Sequence, residues 1–243
     1  MSEPAPPFVV AVDGPGGSGK STVARAVARR LGLAYLDTGA MYRAVAWRVL
    51  RDGRNPWDRQ AAAAAAADAR IELGTDADAP TVTVDGVDVT RSIRGEAVTA
   101  AVSPVSAVPA VRERMLSRQR ELIAASARAG GAGGIVVEGR DIGTVVAPDA
   151  PVKVFLTASP RERARRRAEE RGRRPGPASE ADISRTHDAL TVRDRLDSTR
   201  EASPLAQADD ALVIDSTELP ADEVVRLVVA RCSQTRAHGQ VGR

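Results

Sequence analysis

Lys20 and Ser21 end a glycine-rich stretch near the start of the chain, and together they could bind the phosphates of a nucleotide. The stretch, Gly14-Pro-Gly-Gly-Ser-Gly-Lys-Ser21, has the spacing G-x4-G-K-[ST] of a phosphate-binding P-loop. In such a loop the backbone N–H groups point at phosphate oxygens, the ammonium reaches the β- and γ-phosphates, and the hydroxyl ligates Mg²⁺. We therefore predict that Ser21 is the metal ligand and that the phosphates are bound by Gly14, Pro15, Gly16, Gly17, Ser18, Gly19, Lys20, Ser21 and Thr22.

The segments on either side of this loop are those that a P-loop requires. An apolar, β-branched run from Phe8 to Asp13 predicts a strand before it, and apolar residues at helical spacing from Thr22 to Leu31 predict a helix after it. The helix N-terminus would add free N–H groups and the positive end of its dipole. Lys20 and Lys153 are the only lysines among 35 lysines and arginines, so a compact ammonium stands where a P-loop needs a point charge.

Two other interpretations of the glycine-rich stretch stay open at this point. Residues Gly14 to Gly19 also fit G-x-G-x-x-G, and Asp37 lies near the position of a ribose ligand in dinucleotide-binding proteins. That hypothesis leaves Lys20 and Ser21 without a role, and a lone glycine pattern is weak support. An ordinary glycine-rich turn is the remaining alternative.

The composition of the chain indicates one domain with a sizeable core. Of 243 residues, 43% are apolar and 28% are charged, which is ordinary for a globular protein. The single cysteine, Cys232, excludes an internal disulfide and a cysteine-rich zinc site, and two histidines leave no histidine cluster. No signal peptide or membrane-spanning stretch is visible. We expect a cytoplasmic protein with no membrane partner.

The arginines favour a small anionic ligand. The net charge of +3 is modest, but arginines cluster from Arg161 to Arg167 and from Arg171 to Arg174. Only 2% of the residues are aromatic, so few side chains could stack on the bases of a single strand. We therefore expect no nucleic-acid partner.

The pattern of apolar runs predicts a doubly wound α/β fold with a parallel sheet of about five strands. Helical segments separate the predicted core strands, which are residues 8–13, 33–36, 135–137, 152–156 and 211–215. Three short β runs interrupt this alternation, at 71–73, 81–84 and 87–89. Asp85-Gly86 joins the last two and is a strong hairpin signal. Helices are predicted at 22–31, 40–51, about 59–69, 95–101, 108–129, 161–171, 179–196 and 220–236.

Four further stretches carry charge where an apolar core would exclude it: Asp37–Arg43, Ser103–Arg112, Glu138–Thr144 and Arg193–Arg200. In these stretches, in the P-loop and in the segment from Asp149 to Phe155, the chain resembles the bacterial cytidylate kinases. The resemblance runs in order from about Phe8 to the final helix. The segment Gly139-Arg-Asp-Ile-Gly-Thr-Val-Val146 and the inserted β unit are more specific to that family than the P-loop.

The resemblance implies a single P-loop kinase domain that transfers the γ-phosphoryl group of ATP to CMP or dCMP with Mg²⁺. It implies a core of about 8–55 and 106–236, an inserted unit at about 56–105 on the monophosphate side, and a basic helical lid at about 161–185. By position, the phosphate of CMP would be held by Arg43, Arg140 and Arg200, cytosine by Ser103, Arg112 and Asp141, and the sugar by Arg193 and Asp197. Thr38, where many relatives have Ser, would supply a hydroxyl. The catalytic residues would be Lys20, Arg140, Arg163, Arg167 and Arg200.

The chemistry of this transfer agrees with the residues present. A nucleoside monophosphate is already an anionic nucleophile, so the reaction needs charge neutralisation and in-line positioning rather than a histidine base. Asp141 could accept from the N4 amino group of cytosine while Arg112 donates to the acceptor edge. Asp141 could instead pair with Arg140 and orient it for phosphate.

Several alternatives stay open on the sequence alone. The protein could be a shikimate-like or adenylate-like kinase, or a nucleotide switch that controls a partner. Arg161–Arg167 could be a solvated helix face, Arg193–Arg200 could be i,i+4 ion pairs, and Met41 and Tyr42 could be helix packing. Asp215 could be structural or near the adenine. We expect a monomer.

Overall fold

A five-stranded parallel sheet forms the centre of the protein, whose computed structural model describes residues 6–127, 133–171 and 177–241. Its strands are β1 (Phe8–Asp13), β2 (Ala34–Asp37), β6 (Gly134–Gly139), β7 (Val152–Thr157) and β8 (Leu212–Asp215). They lie side by side in the order β2-β6-β1-β7-β8, and every neighbouring pair runs parallel. The predicted fold class is confirmed, since all five core strands and their parallel pairing were expected from the apolar runs.

Helices cover both faces of this sheet. They are α1 (Lys20–Leu31), α2 (Thr38–Arg51), α3 (Arg59–Asp68), α4 (Glu96–Ser106), α5 (Pro109–Ser126), α6 (Pro160–Arg171), α7 (Glu180–Thr199) and α8 (Ala221–Val241). Alternate residues of the central strand β1 point to opposite faces. Val10 and Val12 share a core with α1 and α8, whereas Val9 and Ala11 pack on the other face with Ile123 of α5.

The inserted segment forms a small unit with its own antiparallel sheet. Its strands are β3 (Ile71–Leu73), β4 (Val82–Val84) and β5 (Val87–Asp88), in the order β3-β4-β5. The predicted hairpin turn is present, and Asp85 and Gly86 both have positive φ, at 51° and 80°, as a tight two-residue turn requires. The unit packs through small apolar side chains against α2 and α5 in one continuous core. The domain boundaries themselves stay a prediction.

Three helices continue beyond their predicted C-terminal ends, and one of them is α8, which was expected to end at 236 and continues to Val241. The helix expected to end near 101 continues to Ser106 as α4, because Val98, Val102 and Val105 keep one face buried through the last turn. The helix that begins at the Ser179 cap extends to Thr199 rather than about 196, and the Ser179 side chain accepts from the Asp182 N–H as predicted. The predicted end of α5 at 129, most of the following loop and the break after Arg171 lie outside the described residues.

Within the described ranges, no helix combines the length and apolar character needed to cross a bilayer.

Candidate active site

The predicted functional residues gather at one edge of the parallel sheet. The P-loop follows β1, Thr38 begins the helix after β2, and Arg140 and Asp141 follow β6. Arg163 lies in α6, which follows β7. Because parallel strands end on the same side, these segments meet in the crevice at the carboxyl edge of the sheet, where ligands of open α/β sheets bind.

Two glycines of the P-loop are required by its shape. Gly14 has φ +145° and a Cβ there would lie 2.0 Å from the Leu156 carbonyl oxygen. Gly17 has φ +78° and a Cβ there would lie 2.6 Å from the Arg163 carbonyl oxygen. Side chains rarely adopt such angles, and these contacts leave no room for one. The loop therefore packs closely against β7 and the start of α6.

The loop presents donors that suit phosphate groups. Gly19 precedes α1 and no side chain caps the helix, so its first N–H groups are available for an anion. The buried Lys20 ammonium donates to the Pro15 carbonyl oxygen at 2.7 Å. Burial and the nearby Arg140 guanidinium lower the pKa of Lys20. An approaching triphosphate would offset both effects, because its negative charge favours the ammonium form.

A buried carboxylate, Glu138, lies beside the P-loop hydroxyl. Ser21 donates to Glu138 Oε2 at 2.9 Å, and Glu138 is only 3% exposed. Burial and the Asp37 carboxylate raise the pKa of Glu138. No role for Glu138 was predicted from the sequence, although its position near the end of a buried strand, two residues before Arg140, is a signal that could have identified it.

These oxygen atoms fit a magnesium ion carried by ATP. Mg²⁺ prefers oxygen ligands and is usually bound by one or two protein groups together with phosphate oxygens and water. The Ser21 hydroxyl and the Glu138 carboxylate provide that donor chemistry next to Lys20. Among the described residues, no three His, Cys, Asp or Glu side chains form a ready-made metal cage, so the phosphates would complete the coordination.

Two clefts open on either side of the P-loop. The first, of about 740 Å³, lies between Gly17–Gly19, the helix α6 and the segment from Ser216 to Val224. The second, of about 790 Å³, lies between the P-loop, the inserted unit and α7. We call the first the donor cleft and the second the acceptor cleft, after the phosphoryl donor and the phosphoryl acceptor that the sequence resemblance implies. Gly17 lines both, so ligands in the two clefts would meet at the P-loop.

All predicted acceptor-side residues line the acceptor cleft, although they come from four separate stretches of the chain. Arg167 of α6 joins them there. The set is Thr38, Arg43, Ser103, Arg112, Arg140, Asp141, Arg193, Asp197 and Arg200.

Arg112 and Asp141 form a buried ion pair at the edge of this cleft. Arg112 Nη2 lies 2.5 Å from Asp141 Oδ2, and the two side chains are 6% and 7% exposed. The Arg112 guanidinium also lies 5.2 Å from the centre of the Tyr42 ring, within cation–π range. The alternative that Asp141 pairs with Arg140 is wrong, because Asp141 lies against Arg112 and Arg140 pairs with Asp197 instead.

Asp197 is the centre of an arginine cluster. Its carboxylate oxygens lie 3.0 Å from Arg140 Nε, 3.5 Å from Arg200 Nη1 and 3.9 Å from Arg193 Nε. Burial opposes ionisation of Asp197, but Arg140, Arg193 and Arg200 outweigh it and lower its pKa. The residue that the resemblance assigns to the sugar thus also lies within ion-pair distance of three guanidinium groups and accepts hydrogen bonds from Arg140 and Arg200.

The cleft holds more positive charge than its carboxylates neutralise. Burial and the Arg140 guanidinium lower the pKa of Arg193 to about 10, and burial with Arg193 and Arg167 lowers that of Arg43 to about 9. The Nε donors of Arg112 and Arg193 are buried and find no hydrogen-bond acceptor in the part of the chain that the structure describes. Buried donors without partners are costly, so the cleft is suited to an anionic ligand rich in acceptors.

The two predicted lid arginines lie in different places. Arg167 lines the acceptor cleft and pairs with Glu170. Arg163 lies behind the P-loop, where it donates to the Gly16 carbonyl oxygen at 3.1 Å and pairs with Asp194 at 2.5 Å. Only some arginines of the stretch Arg161–Arg167 lie on a solvated helix face. Arg165 is one of them, and it forms ion pairs with Glu162 and Glu169.

The segment after β8 closes the donor cleft. Arg166 donates to the Ser216 hydroxyl at 3.0 Å and to its carbonyl oxygen at 2.7 Å. Asp215 is exposed and accepts from the Thr217 N–H at 2.9 Å. Asp215 therefore stabilises the turn that carries Ser216 and Thr217 into the cleft, which is the structural one of its two predicted roles.

Comparison with known proteins identifies the family. A sequence model described as cytidylate kinase matches residues 10–234. A cytidylate kinase of Streptomyces avermitilis is 50% identical over 232 residues, which is 96% of this chain and 95% of that protein. One of Streptomyces griseus subsp. griseus is 51% identical over 221 residues, or 91% and 90% of the two chains. The chain belongs to the cytidylate kinase family.

Membership of the cytidylate kinase family confirms the predicted class, a nucleotide-binding phosphotransferase, and excludes the dinucleotide-binding interpretation of the glycine-rich stretch. Among solved structures, a shikimate kinase from Acinetobacter baumannii in complex with shikimate matches with a TM-score of 0.39 and 15% identity, over 93% of this chain and 92% of that one. That likeness is too distant to bear on the substrate.

Proposed function

We propose that the protein catalyses the transfer of the γ-phosphoryl group from ATP to CMP and dCMP, giving ADP and CDP or dCDP. The observation that carries this proposal is the pair of clefts that share the P-loop. The donor cleft suits a nucleoside triphosphate, and the acceptor cleft combines free guanidinium donors with a buried arginine–aspartate pair. A nucleotide switch would need no arginines on the acceptor side, and a shikimate-type kinase would need no group that reads a nucleobase.

Phosphoryl transfer needs little covalent help from the protein. The nucleophile is a phosphate oxygen of the monophosphate, which attacks the γ-phosphorus as the bond to the β-phosphate oxygen of ATP breaks. That oxygen is already anionic, so no side chain has to remove a proton. The protein contributes by holding the two anionic groups in line and neutralising their repulsion.

The arginines of the acceptor cleft would hold the attacking phosphate. Arg43 lies beneath the cleft with Nη1 bonded to the Ile93 carbonyl oxygen at 3.1 Å and to the Thr99 hydroxyl at 2.9 Å. These bonds fix the orientation of the guanidinium group, and its remaining N–H groups would bind the phosphate. Arg140 and Arg200, oriented by Asp197, would contact the same phosphate, since guanidinium forks match phosphate oxygens.

On the donor side, Lys20 would neutralise the β- and γ-phosphates, and Arg167 would approach the transferred group. Ser21 would ligate the Mg²⁺ of MgATP, which would neutralise the triphosphate charge. Arg163 holds the P-loop from behind through Gly16. Arg163 would thereby keep the P-loop in a fixed position relative to the lid helix.

The base would lie near Ser103, Arg112 and Asp141. Cytosine offers an N4 donor beside two acceptors, and a carboxylate next to a guanidinium matches that order. Uracil has a carbonyl at position 4, which an aspartate would repel. Arg193 and Asp197 would contact the sugar. The domain would be a single kinase unit, with the insert at about 56–105 closing the monophosphate side and the segment at about 161–185 closing over ATP.

We also propose a cytoplasmic monomer in pyrimidine nucleotide metabolism, with no nucleic-acid or membrane partner. Closing of the lid over both substrates would exclude water, which could otherwise accept the phosphoryl group.

An ADP-release assay over a panel of acceptors tests the proposal. CMP and dCMP should support turnover, UMP and AMP should support much less, and shikimate and water none. Lys20→Ala should abolish most turnover with the fold intact by circular dichroism. Lys153→Ala is the matched control, because Lys153 pairs with Asp210 and lines neither cleft. Turnover of Lys20→Ala near that of Lys153→Ala, or no preference for cytidine monophosphates, would overturn the proposal.

A further inference from the structure

Tyr35 has no role in the chemistry described so far, yet its hydroxyl lies at the carboxylate beside the P-loop. It belongs to β2, opposite Val136 of β6, and is 2% exposed. Its hydroxyl donates to Glu138 Oε1. Burial and the Glu138 carboxylate raise the pKa of Tyr35, so the hydroxyl keeps its proton and acts as the donor.

Both oxygens of Glu138 are therefore engaged. Tyr35 holds Oε1, and Ser21 donates to Oε2 at 2.9 Å. The backbone of the same residue is also held, because the Thr38 hydroxyl donates to the Glu138 carbonyl oxygen at 2.7 Å. Hydroxyls from three separate elements thus fix one buried residue. A carboxylate held at both oxygens cannot rotate without losing a hydrogen bond in a buried environment, which is costly.

The direction of the Ser21 hydroxyl depends on this arrangement. A hydroxyl has one proton and two lone pairs. When the proton points at Glu138, the lone pairs are left for a cation. If Glu138 turned away, the proton would lose its acceptor and could occupy a direction that the metal needs. Groups that orient a metal ligand in this way commonly contribute 10–100-fold to metal affinity.

We propose that Tyr35 is a positioning residue for the metal-bound nucleotide: its hydroxyl holds the Glu138 carboxylate so that Ser21 presents its lone pairs to Mg²⁺. This inference rests on the proposed function, since it assumes that the P-loop binds MgATP. It assigns to β2 a part in selecting the metal complex of ATP over free ATP.

Tyr35→Phe tests the inference, because it keeps the buried ring and removes only the hydroxyl. Isothermal titration calorimetry would measure the affinity of the full-length protein for ATP in excess Mg²⁺ and again in EDTA. The ratio of the two affinities is the coupling between metal and nucleotide. We expect Tyr35→Phe to reduce this ratio about tenfold, at the lower end of the range for groups that orient a ligand, while the affinity in EDTA stays close to that of the wild type.

Two comparisons separate positioning from a general effect. Tyr42 is the other of the two tyrosines and lines the acceptor cleft, so Tyr42→Phe removes the same group without altering the coupling ratio. In a Ser21→Ala background the Tyr35 substitution should reduce the ratio no further, because its effect passes through the Ser21 hydroxyl.

The outcomes distinguish the inference from the proposed function. Absence of ADP release with CMP in the acceptor assay would overturn the proposed function, whereas an active wild-type protein whose ATP affinity does not depend on Mg²⁺ would overturn the inference alone. A wild-type protein with strong coupling that Tyr35→Phe retains would overturn only the inference, as would an equal loss of affinity in Mg²⁺ and in EDTA. If thermal unfolding shows that Tyr35→Phe is not folded, Glu138→Gln serves instead. Full coupling in Glu138→Gln would also refute the inference.

Discussion

Replacing Asp141 with alanine should affect both the stability of the protein and its choice of base. Arg112 and Asp141 are nearly inaccessible to solvent, so removing the carboxylate leaves a buried guanidinium without its counterion. Breaking such a pair costs about 3–5 kcal/mol. The Tyr42 ring stays against Arg112 and offsets about 1–2 kcal/mol of that. The free energy of unfolding of Asp141→Ala should therefore fall by about 1–4 kcal/mol.

The effect on the base can be estimated separately. A well-placed polar contact to a base edge discriminates against the wrong base by about 1–3 kcal/mol, which corresponds to roughly 5–150-fold in kcat/KM. Asp141→Ala should lower kcat/KM for CMP by about that factor. The loss in kcat/KM for UMP should be smaller, because the carboxylate would face the uracil O4 unfavourably. The ratio of CMP to UMP activity should therefore narrow.

The assay is ADP release with both monophosphates, at a temperature well below the unfolding transition of each variant, alongside urea unfolding. The double variant Arg112→Met/Asp141→Leu is the matched control for folding. Replacing both charges with apolar groups of similar size is often neutral for stability, so this variant should recover most of the unfolding free energy but not the preference for CMP.

Two results would refute this reasoning. An equal fall in kcat/KM for CMP and for UMP would show that Asp141 orients other groups and does not contact the base. Recovery of base preference in the stable double variant would show that the loss in Asp141→Ala came from local unfolding alone.

Two further predictions concern the lid and the central strand. Arg167→Ala should lower kcat by about 10³-fold or more with little change in melting temperature, whereas Arg163→Ala should lower both, since Arg163 also holds Gly16. A loss of kcat below tenfold in each variant would show that neither arginine stabilises the transferred group. Burial raises the pKa of Asp13 to about 6. The backbone N–H groups of Ile142 and Gly143 donate to its carboxylate and lower the pKa, but the effect of burial is larger. The unfolded chain then releases this proton at lower pH than the folded protein, so stability falls by about 3 kcal/mol from pH 4 to 6. Urea unfolding at a series of pH values would measure this dependence, and in Asp13→Asn the free energy of unfolding should change much less between pH 4 and 6. If the wild type and Asp13→Asn showed the same pH dependence, Asp13 would not be the group that causes it.

The features that the sequence determined by itself are local ones. The strand, glycine turn and uncapped helix of the P-loop depend on residues a few positions apart. The hairpin at Asp85-Gly86 and the Ser179 cap depend on single turns, and the five core strands follow from short apolar runs. Their physics involves neighbours in the chain, so residue types and spacing were enough to predict them. Likewise, the charged stretches were identifiable because charge is costly inside a core.

The partners of those charges were decided only by the tertiary structure. Asp141 pairs with Arg112, 29 residues away, and Arg140 with Asp197, 57 residues away. The sequence alone left Asp141 free to pair with its neighbour Arg140. Ser21 and Glu138 are 117 residues apart. Which carboxylate faces which donor depends on how α5, α7 and β6 pack around the sheet edge, and hydrogen bonds reach only about 3 Å. Residue types indicate which chemistry is available, whereas the packing of distant segments selects the pairs that carry it out.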